Sequence, residues 1–167
     1  MGRTTPARGG DAGLITIRQE SWLAVWPEVQ PLWTGPHAAE VRPAAFPLQV
    51  QPDPTAYAAL EAHGTLGCMA VRHGPTLVGY AVAFVFTHPH FTDAPMAEAL
   101  LYYLLPAYRG QGHGRRLIAA LTAWARAAGA RCLLMASRVQ TPHGAILAHL
   151  GFVPLELTYY LPLDRKE

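Results

Sequence analysis

Three parts of this chain carry residue types and spacings that could do chemistry. The first is Tyr108-Arg109-Gly110-Gln111-Gly112-His113-Gly114-Arg115-Arg116-Leu117-Ile118. An apolar run, Ala99 to Leu105, enters it and a helical pattern leaves it. Alternate glycines leave the backbone bare where a strand turns into a helix. Amides at a helix start lack intrahelical partners, and the helix dipole adds partial positive charge, so such a turn holds anions. Glycine at 112 and 114 lets a diphosphate approach where side chains would clash, and Arg109 and Arg115 add charge, while Arg116 faces solvent. The second is Glu98, the sole acid between Met96 and Leu105. Strand alternation places residues 98, 100, 102 and 104 on one face. A carboxylate there is either an ordinary charge at a strand start or a general base for an amine, if its pKa is raised toward working pH. The reading to be tested is that a diphosphate sits on the turn and that the rest of the chain presents a thioester carried by it to an acceptor. The third is His88-Pro89-His90, which has no third ligand at metal spacing and fits loop structure or acceptor lining better than a metal site.

Other phosphate loops fail by spacing. A dinucleotide fold needs Gly-x-Gly-x-x-Gly after a strand and an acid at the end of the next one. A P-loop needs Gly-Lys-Ser/Thr, which is absent. The 167 residues suit one domain with a sizeable core, and 51% apolar with 14% charged residues describes a compact globule. The net charge of +2 and the lack of a basic block give no reason to expect nucleic acid. Cys68 and Cys132 lie in strand-like runs, without Cys-x-x-Cys, and read as buried reduced thiols. No secretory segment is recognisable. Pro6 spoils the site that Gly2 would need for myristoylation, and the run Tyr80 to Phe86 is too short to span a bilayer. A soluble cytoplasmic protein without membrane contact is expected.

Residues 1–13 read as a flexible tail and 14–167 as a single domain. A strand over 14–18 leads to a helix capped by Ser21, holding Trp22, Leu23, Trp26 and Val29, which Pro27 should kink or shorten. Trp22 and Trp26 fit core packing or an acceptor-groove wall. The proline-rich stretch 31–55 reads as irregular, with a short helix over 37–41. Asp53 and Pro54 start a helix ending near Gly64. Strands follow over 65–72, 76–87 and 96–105, the first two antiparallel across a short turn and the last after a loop at 88–95. Leu117, Ile118, Leu121, Trp124, Ala125 and Ala128 repeat at helical spacing up to Gly129. A strand over 131–137, a helix begun by Thr141 and Pro142 and ended by Gly151, and a final strand over 152–163 complete the chain.

The pattern Arg109-x-x-Gly112-x-Gly114, with Leu104-x-Pro106 before it, Leu117-Ile118 after it and Gly151-Phe152 near the end, resembles the coenzyme A loop and closing elements of the GCN5-related N-acetyltransferase (GNAT) superfamily. The resemblance spans about residues 14–163. His88-x-His90-Phe91 and Tyr103-x-x-Pro106-x-Tyr108-Arg109-Gly110 also resemble acetyltransferase-like proteins of tailed phages and prophages. The resemblance implies an α/β (α+β) fold: a mixed, mostly antiparallel sheet splayed near Leu104 at the coenzyme A strand, with helices on both faces. It implies acetyl-CoA as acyl donor, no metal, and an N-acetyltransferase acting on a primary amine of an unknown small molecule or protein. A homodimer is among its implications. Backbone groups of Tyr102, Tyr103 and Leu104 would hold pantetheine, and amides of Gly110, Gln111, Gly112, His113, Gly114 and Arg115 the pyrophosphate. Glu98 stands eleven residues before Arg109, where several members place a catalytic Glu. Many members have a Tyr four residues before the Gly-Phe pair as general acid; Leu147 stands here. The helix-start Asn is also replaced, Gln140 being nearest by spacing. His143, His149 and Tyr159 are the stand-ins by proximity. The missing acid leaves a second reading open: a non-catalytic acyl-CoA-binding or phage assembly-associated module.

Overall fold

The computed structural model describes residues 13–41, 50–138, 143–159, 161 and 163. Residues 1–12 of the expected tail, Gln140, and the expected helix start at Thr141 and Pro142 lie outside these. Among the described residues the sheet has five strands in the order β1 (Ile15–Gln19), β2 (Leu66–His73), β3 (Thr76–His88), β4 (Phe91–Leu104), β5 (Leu133–Met135). The first four pair antiparallel with their neighbours, and β5 lies parallel to β4. Helices α1 (Trp22–Leu32), α2 (Ala38–Val41), α3 (Pro54–Ala62), α4 (His113–Ala127) and α5 (His143–His149) complete the described elements.

Strand alternation divides the core into two layers. Cys68, Ala70, Tyr80, Val82, Leu101 and Tyr103 face α1, meeting Trp22, Val25 and Val29. Met69, Val71, Ala81, Ala83 and Leu104 face α4, meeting Leu117 and Leu121. The fit is tight on the α4 side, where the position of a side chain on Gly67 is filled by the Trp124 indole. On the α1 side Trp22 is fully buried, its ring 5.1 Å from Trp26 and 4.7 Å from Tyr57.

Several expectations change. The helix at 22 runs through Pro27 and on to Leu32. The break comes later, in a wide turn over Trp33–His37, where Gly35 has φ −104° and ψ −107°. Leu23, whose carbonyl would have received the missing Pro27 N–H, is 61% exposed, so water can take over that acceptor. Ser21 does not cap α1 with its own hydroxyl. Glu61 of α3 accepts from Trp22 N–H at 2.6 Å and from Ser21 Oγ at 3.0 Å, which locks the two helices together. Asp53 does cap α3, accepting from Thr55 and Ala56 amides. Arg72 of β2 binds Glu20 at 2.8 Å and Glu28 of α1 at 2.9 Å, and its guanidinium holds the Glu20 carboxyl below the usual carboxylate range.

The loop expected at 88–95 is a tight hairpin: β3 reaches His88 and β4 already begins at Phe91. The strand expected over 131–137 shortens to Leu133–Met135, and Cys132 just before it is exposed rather than buried. No strand forms among the described residues of 152–163. Val153, Leu155, Tyr159, Leu161 and Leu163 are 76–89% exposed, because alternation alone cannot hold a strand without a ladder partner.

Candidate functional site

The glycine stretch folds as a turn into α4. A short 3₁₀ turn, Pro106–Tyr108, ends β4, and Gly110 and Gly112 follow at φ +75° and +81°. These left-handed values favour glycine, and a Cβ at either position would meet nothing within 4 Å, so the space above the turn is open. The first helical hydrogen bond runs from Arg116 N–H to Gly112 O at 3.1 Å, and no side chain caps the start. The amides of His113, Gly114 and Arg115 therefore precede the helical ladder and point out of its N-terminus. The turn is braced from beneath, where His73 Nδ1 and the Tyr108 hydroxyl lie 2.9 Å apart.

Beside this turn the sheet opens. β4 and β5 pair only over Ala97–Ala99 with Leu133–Met135. The opening begins at Leu100, upstream of the expected point near Leu104. Leu105 N–H donates to Val78 O, so alternation turns the backbone of Tyr103 toward β3 and that of Tyr102 and Leu104 toward the opening. Of the backbone groups expected to hold an extended ligand, those of Tyr102 and Leu104 line the gap.

Leu100 also has no partner on β3: Val82 pairs with Leu101 and Ala83 with Ala99. This one-residue bulge reverses which residues share a face. Glu98, opposite Phe84, shares the α1 side with Leu101 and Tyr103, whereas the expected alternation grouped it with Tyr102 and Leu104. Glu98 thus stands two residues before the opening, half-buried, on the layer opposite α4.

On the α4 side, Tyr102 bridges three elements. Its hydroxyl lies 2.6 Å from where a Cβ on Gly114 would be, so Gly114 makes room for a tyrosine of the protein itself. Its ring stacks on His143 of α5 at 5.2 Å and 22°. His143 Nε2 is buried without a hydrogen-bond partner among the described residues, and burial lowers the imidazole pKa. His149 at the far end of α5 is exposed, and Tyr159 is 84% exposed. Leu147, at the position where relatives carry Tyr, is 5% exposed and packs inward.

The arginines do not crowd the turn. Arg109 Nε donates to Leu104 O at 2.8 Å, and Nη2 reaches both Glu40 oxygens at 2.9 Å. Its guanidinium also lies over the Tyr103 ring at 5.5 Å. Arg109 thereby ties the turn to β4 and α2, and Glu40 offsets its charge. Arg115 lines a groove of about 860 Å³ between α4 and residues 150–155, so its amide serves the turn more directly than its guanidinium does.

Behind Tyr103 sits His37, which the sequence did not single out. It is 3% exposed, its Nδ1 lies 2.7 Å from the Tyr80 hydroxyl, and it stacks on Tyr103 at 4.8 Å. Burial brings its pKa down to about 4. Its isolated position between two prolines carries no periodic signal; only the fold shows that it joins α2 to the hairpin.

His88 and His90 rings are 4.9 Å apart at the hairpin end. Among the described residues no group of three or more His, Cys, Asp or Glu side chains could hold a metal, and no helix is long and apolar enough to cross a membrane.

A start of bare amides beside a strand with one open edge is an arrangement for an extended ligand that ends in a diphosphate. The model of the Acetyltransferase (GNAT) family matches residues 22–152, and the chain belongs to that family. No curated protein sequence matches it significantly. Among solved structures, it is similar in fold to an aminoglycoside acetyltransferase from an uncultured soil metagenomic sample, solved in complex with sisomicin: TM-score 0.66, 14% identity, covering 90% of this chain and 97% of that one. A ribosomal-protein-alanine N-acetyltransferase from Brucella melitensis biovar Abortus gives 0.65 at 17% identity, covering 89% and 97%. AAC(6')-Iy, bound to the bisubstrate analogue CoA-S-monomethyl-acetylneamine, gives 0.63 at 19% identity, covering 93% and 99%.

Proposed function

We propose that this protein transfers the acetyl group of acetyl-CoA to a primary amine. The observation that carries this reading is the adjacency of two features: the uncapped start of α4 and the edge of β4 that opens at Leu100. A diphosphate fits the amides of Gly110 to Arg115, and pantetheine fits the gap as an added strand bonded to Tyr102 and Leu104. The thioester then lies near Leu100, with Glu98 on the α1 side. The amine nitrogen attacks the carbonyl carbon and a C–N bond forms. The proton leaving nitrogen passes to Glu98. Collapse of the tetrahedral intermediate breaks the C–S bond, and the thiolate leaves and takes a proton from solvent or a neighbouring donor. His143, stacked on Tyr102 at the gap, is the stand-in for the missing acid that the fold supports.

Buried Leu147 in place of the tyrosine favours the second reading, a non-catalytic acyl-CoA-binding or phage assembly-associated module with the same fold. Release of free thiol from acetyl-CoA over an amine panel, with coenzyme A affinity measured alongside, decides between them. Amine-dependent release supports the transferase. Tight binding with no release on any amine supports the module.

A further inference from the structure

The face of the hairpin beyond the α1 core is lined with aromatic rings. Phe84 and Phe86 stack with centroids 5.0 Å apart at 20°. Phe86 meets His88 edge-on at 6.4 Å, and His88 meets Phe91 at 5.4 Å. Phe84 touches the buried core, whereas Phe86 and His88 extend beyond it. All three are half-buried and Phe91 is 57% exposed. From Phe84 to His88 the ribbon spans roughly 13 Å at the usual strand rise. The cross-strand partners on the same face are Glu98 opposite Phe84 and Met96 opposite Phe86. The ribbon therefore begins at the carboxylate proposed as base and runs away from the opening, and among the described residues Glu98 is the acid paired across from its rings.

Five other acids among the described residues are engaged elsewhere. Glu20 and Glu28 bind Arg72, Glu40 binds Arg109, Glu61 caps α1, and Asp53 caps α3. Asp93, the other acid of the hairpin, is exposed in the stretch 92–95, which has no partner on β3. A polyamine or aminosugar offers no flat ring to stack on the ribbon and brings more ammonium groups than the one carboxylate, Glu98, that pairs across from its rings. An amine on a short tether from a flat ring matches both ends. Its ring stacks on Phe84 and Phe86, and its nitrogen reaches Glu98.

Resting on the transferase reading above, we infer that the acceptor is a monoamine carrying an aromatic ring, held by the ribbon Phe84–Phe86–His88 with its nitrogen at Glu98. The full chain is assayed by thiol release from acetyl-CoA with 2-phenylethylamine, ethylamine, spermidine and sisomicin. The expected result is a kcat/KM for 2-phenylethylamine about tenfold or more above those of the other three, the scale of one well-placed ring. The variant Phe86→Ala should lower kcat/KM for 2-phenylethylamine about tenfold, mainly through KM, and leave ethylamine within about twofold. Spermidine or sisomicin outpacing 2-phenylethylamine overturns the inference, as does an unchanged preference in Phe86→Ala. Calorimetric titration of 2-phenylethylamine into the coenzyme A-saturated protein separates the two levels. Binding weakened by Phe86→Ala but with no turnover on any amine sinks the transferase reading and upholds the ribbon. Neither binding nor turnover of 2-phenylethylamine overturns the ribbon; turnover of another amine would still uphold the transferase.

Discussion

The Tyr102 hydroxyl occupies the space that a side chain on residue 114 would need: a Cβ there would lie 2.6 Å from the oxygen. The ring cannot swing away freely, because its other side stacks on His143. Gly114→Ala should therefore destabilise the protein by about 1–3 kcal/mol, the range for forcing a methyl into a packed site. It should also weaken coenzyme A binding, because the strain falls on the first turn of α4. Removing the hydroxyl opens the space again, so Tyr102→Phe in the same chain should restore most of both losses. Urea unfolding of the two single variants and the double variant gives the coupling directly. Additive losses would show that the two residues do not compete for space.

Glu98→Gln keeps the shape of the side chain and removes its ability to take a proton. Turnover on the best amine should fall by roughly two orders of magnitude or more, the usual range for a positioned base. Coenzyme A affinity should stay within about twofold, since the cofactor edge of β4 lies on the far side of the bulge from Glu98. A kcat profile unchanged from pH 6 to 9 in the variant, at about the parent rate, would remove Glu98 from the mechanism.

His37 makes stability depend on pH with a definite sign. Burial lowers its native pKa to about 4, with Arg109 and Arg138 acting in the same direction and Glu40 opposing. In the unfolded chain a histidine takes its proton near pH 6.5. Between these values the unfolded state binds the proton and the native state does not. The contribution is thus fully present above about pH 6.5 and is lost as pH falls toward 4, amounting to about 3 kcal/mol at most. His37→Phe removes this component, although it leaves the Tyr80 hydroxyl without its partner. Urea titrations at pH 7, 5.5 and 4.5 should show the parent losing ground to the variant as the pH drops. Parallel losses in the two proteins would contradict the assignment.

His143→Phe preserves a flat ring against Tyr102 and deletes the nitrogen donor. If that nitrogen hydrogen-bonds the departing sulfur, turnover with acetyl-CoA should fall by roughly tenfold or more, as when one preorganised donor to a developing anion is lost. An acetyl thioester of a much more acidic thiol should be far less affected, because its thiolate needs little help. Equal effects on both thioesters would assign His143 to packing alone.

The anion turn was legible because glycine spacing and helix starts are local properties, and positive φ at 110 and 112 follows from them. The antiparallel pair joined by the turn at 74 was legible for the same reason, since alternation and a turn are written in short windows, whereas the hairpin at 88–91 reads in sequence as a loop. Three further features were not legible. The bulge at Leu100 leaves no mark in composition, since Ala99, Leu100 and Leu101 are all apolar, yet it moves Glu98 to the other layer. The cap on Trp22 comes from Glu61, thirty-nine residues away, so no local motif contains it. Arg109 reads as a phosphate ligand until the fold brings Glu40 beside it. Each of these depends on contacts between segments distant in the chain or on a register shift, which hydrophobic period does not encode.

The extra residue at Leu100 acts as a phase change within one strand. Upstream of it, Phe91 to Ala99 set what lies against the aromatic layer; downstream, Leu101 to Leu104 set the edge beside the α4 turn. Because the pairing is re-registered between them, substitutions in the upstream half can alter one surface without shifting the geometry of the other. A deletion of Leu100 would join the halves into one regular ladder, with Ala99 still opposite Ala83 and Leu101 still opposite Val82, and would remove the bend at the point where β4 and β5 part. The strand is in this sense two adjustable halves on one continuous backbone, and the position to leave untouched when altering either is the residue that pairs with nothing on β3.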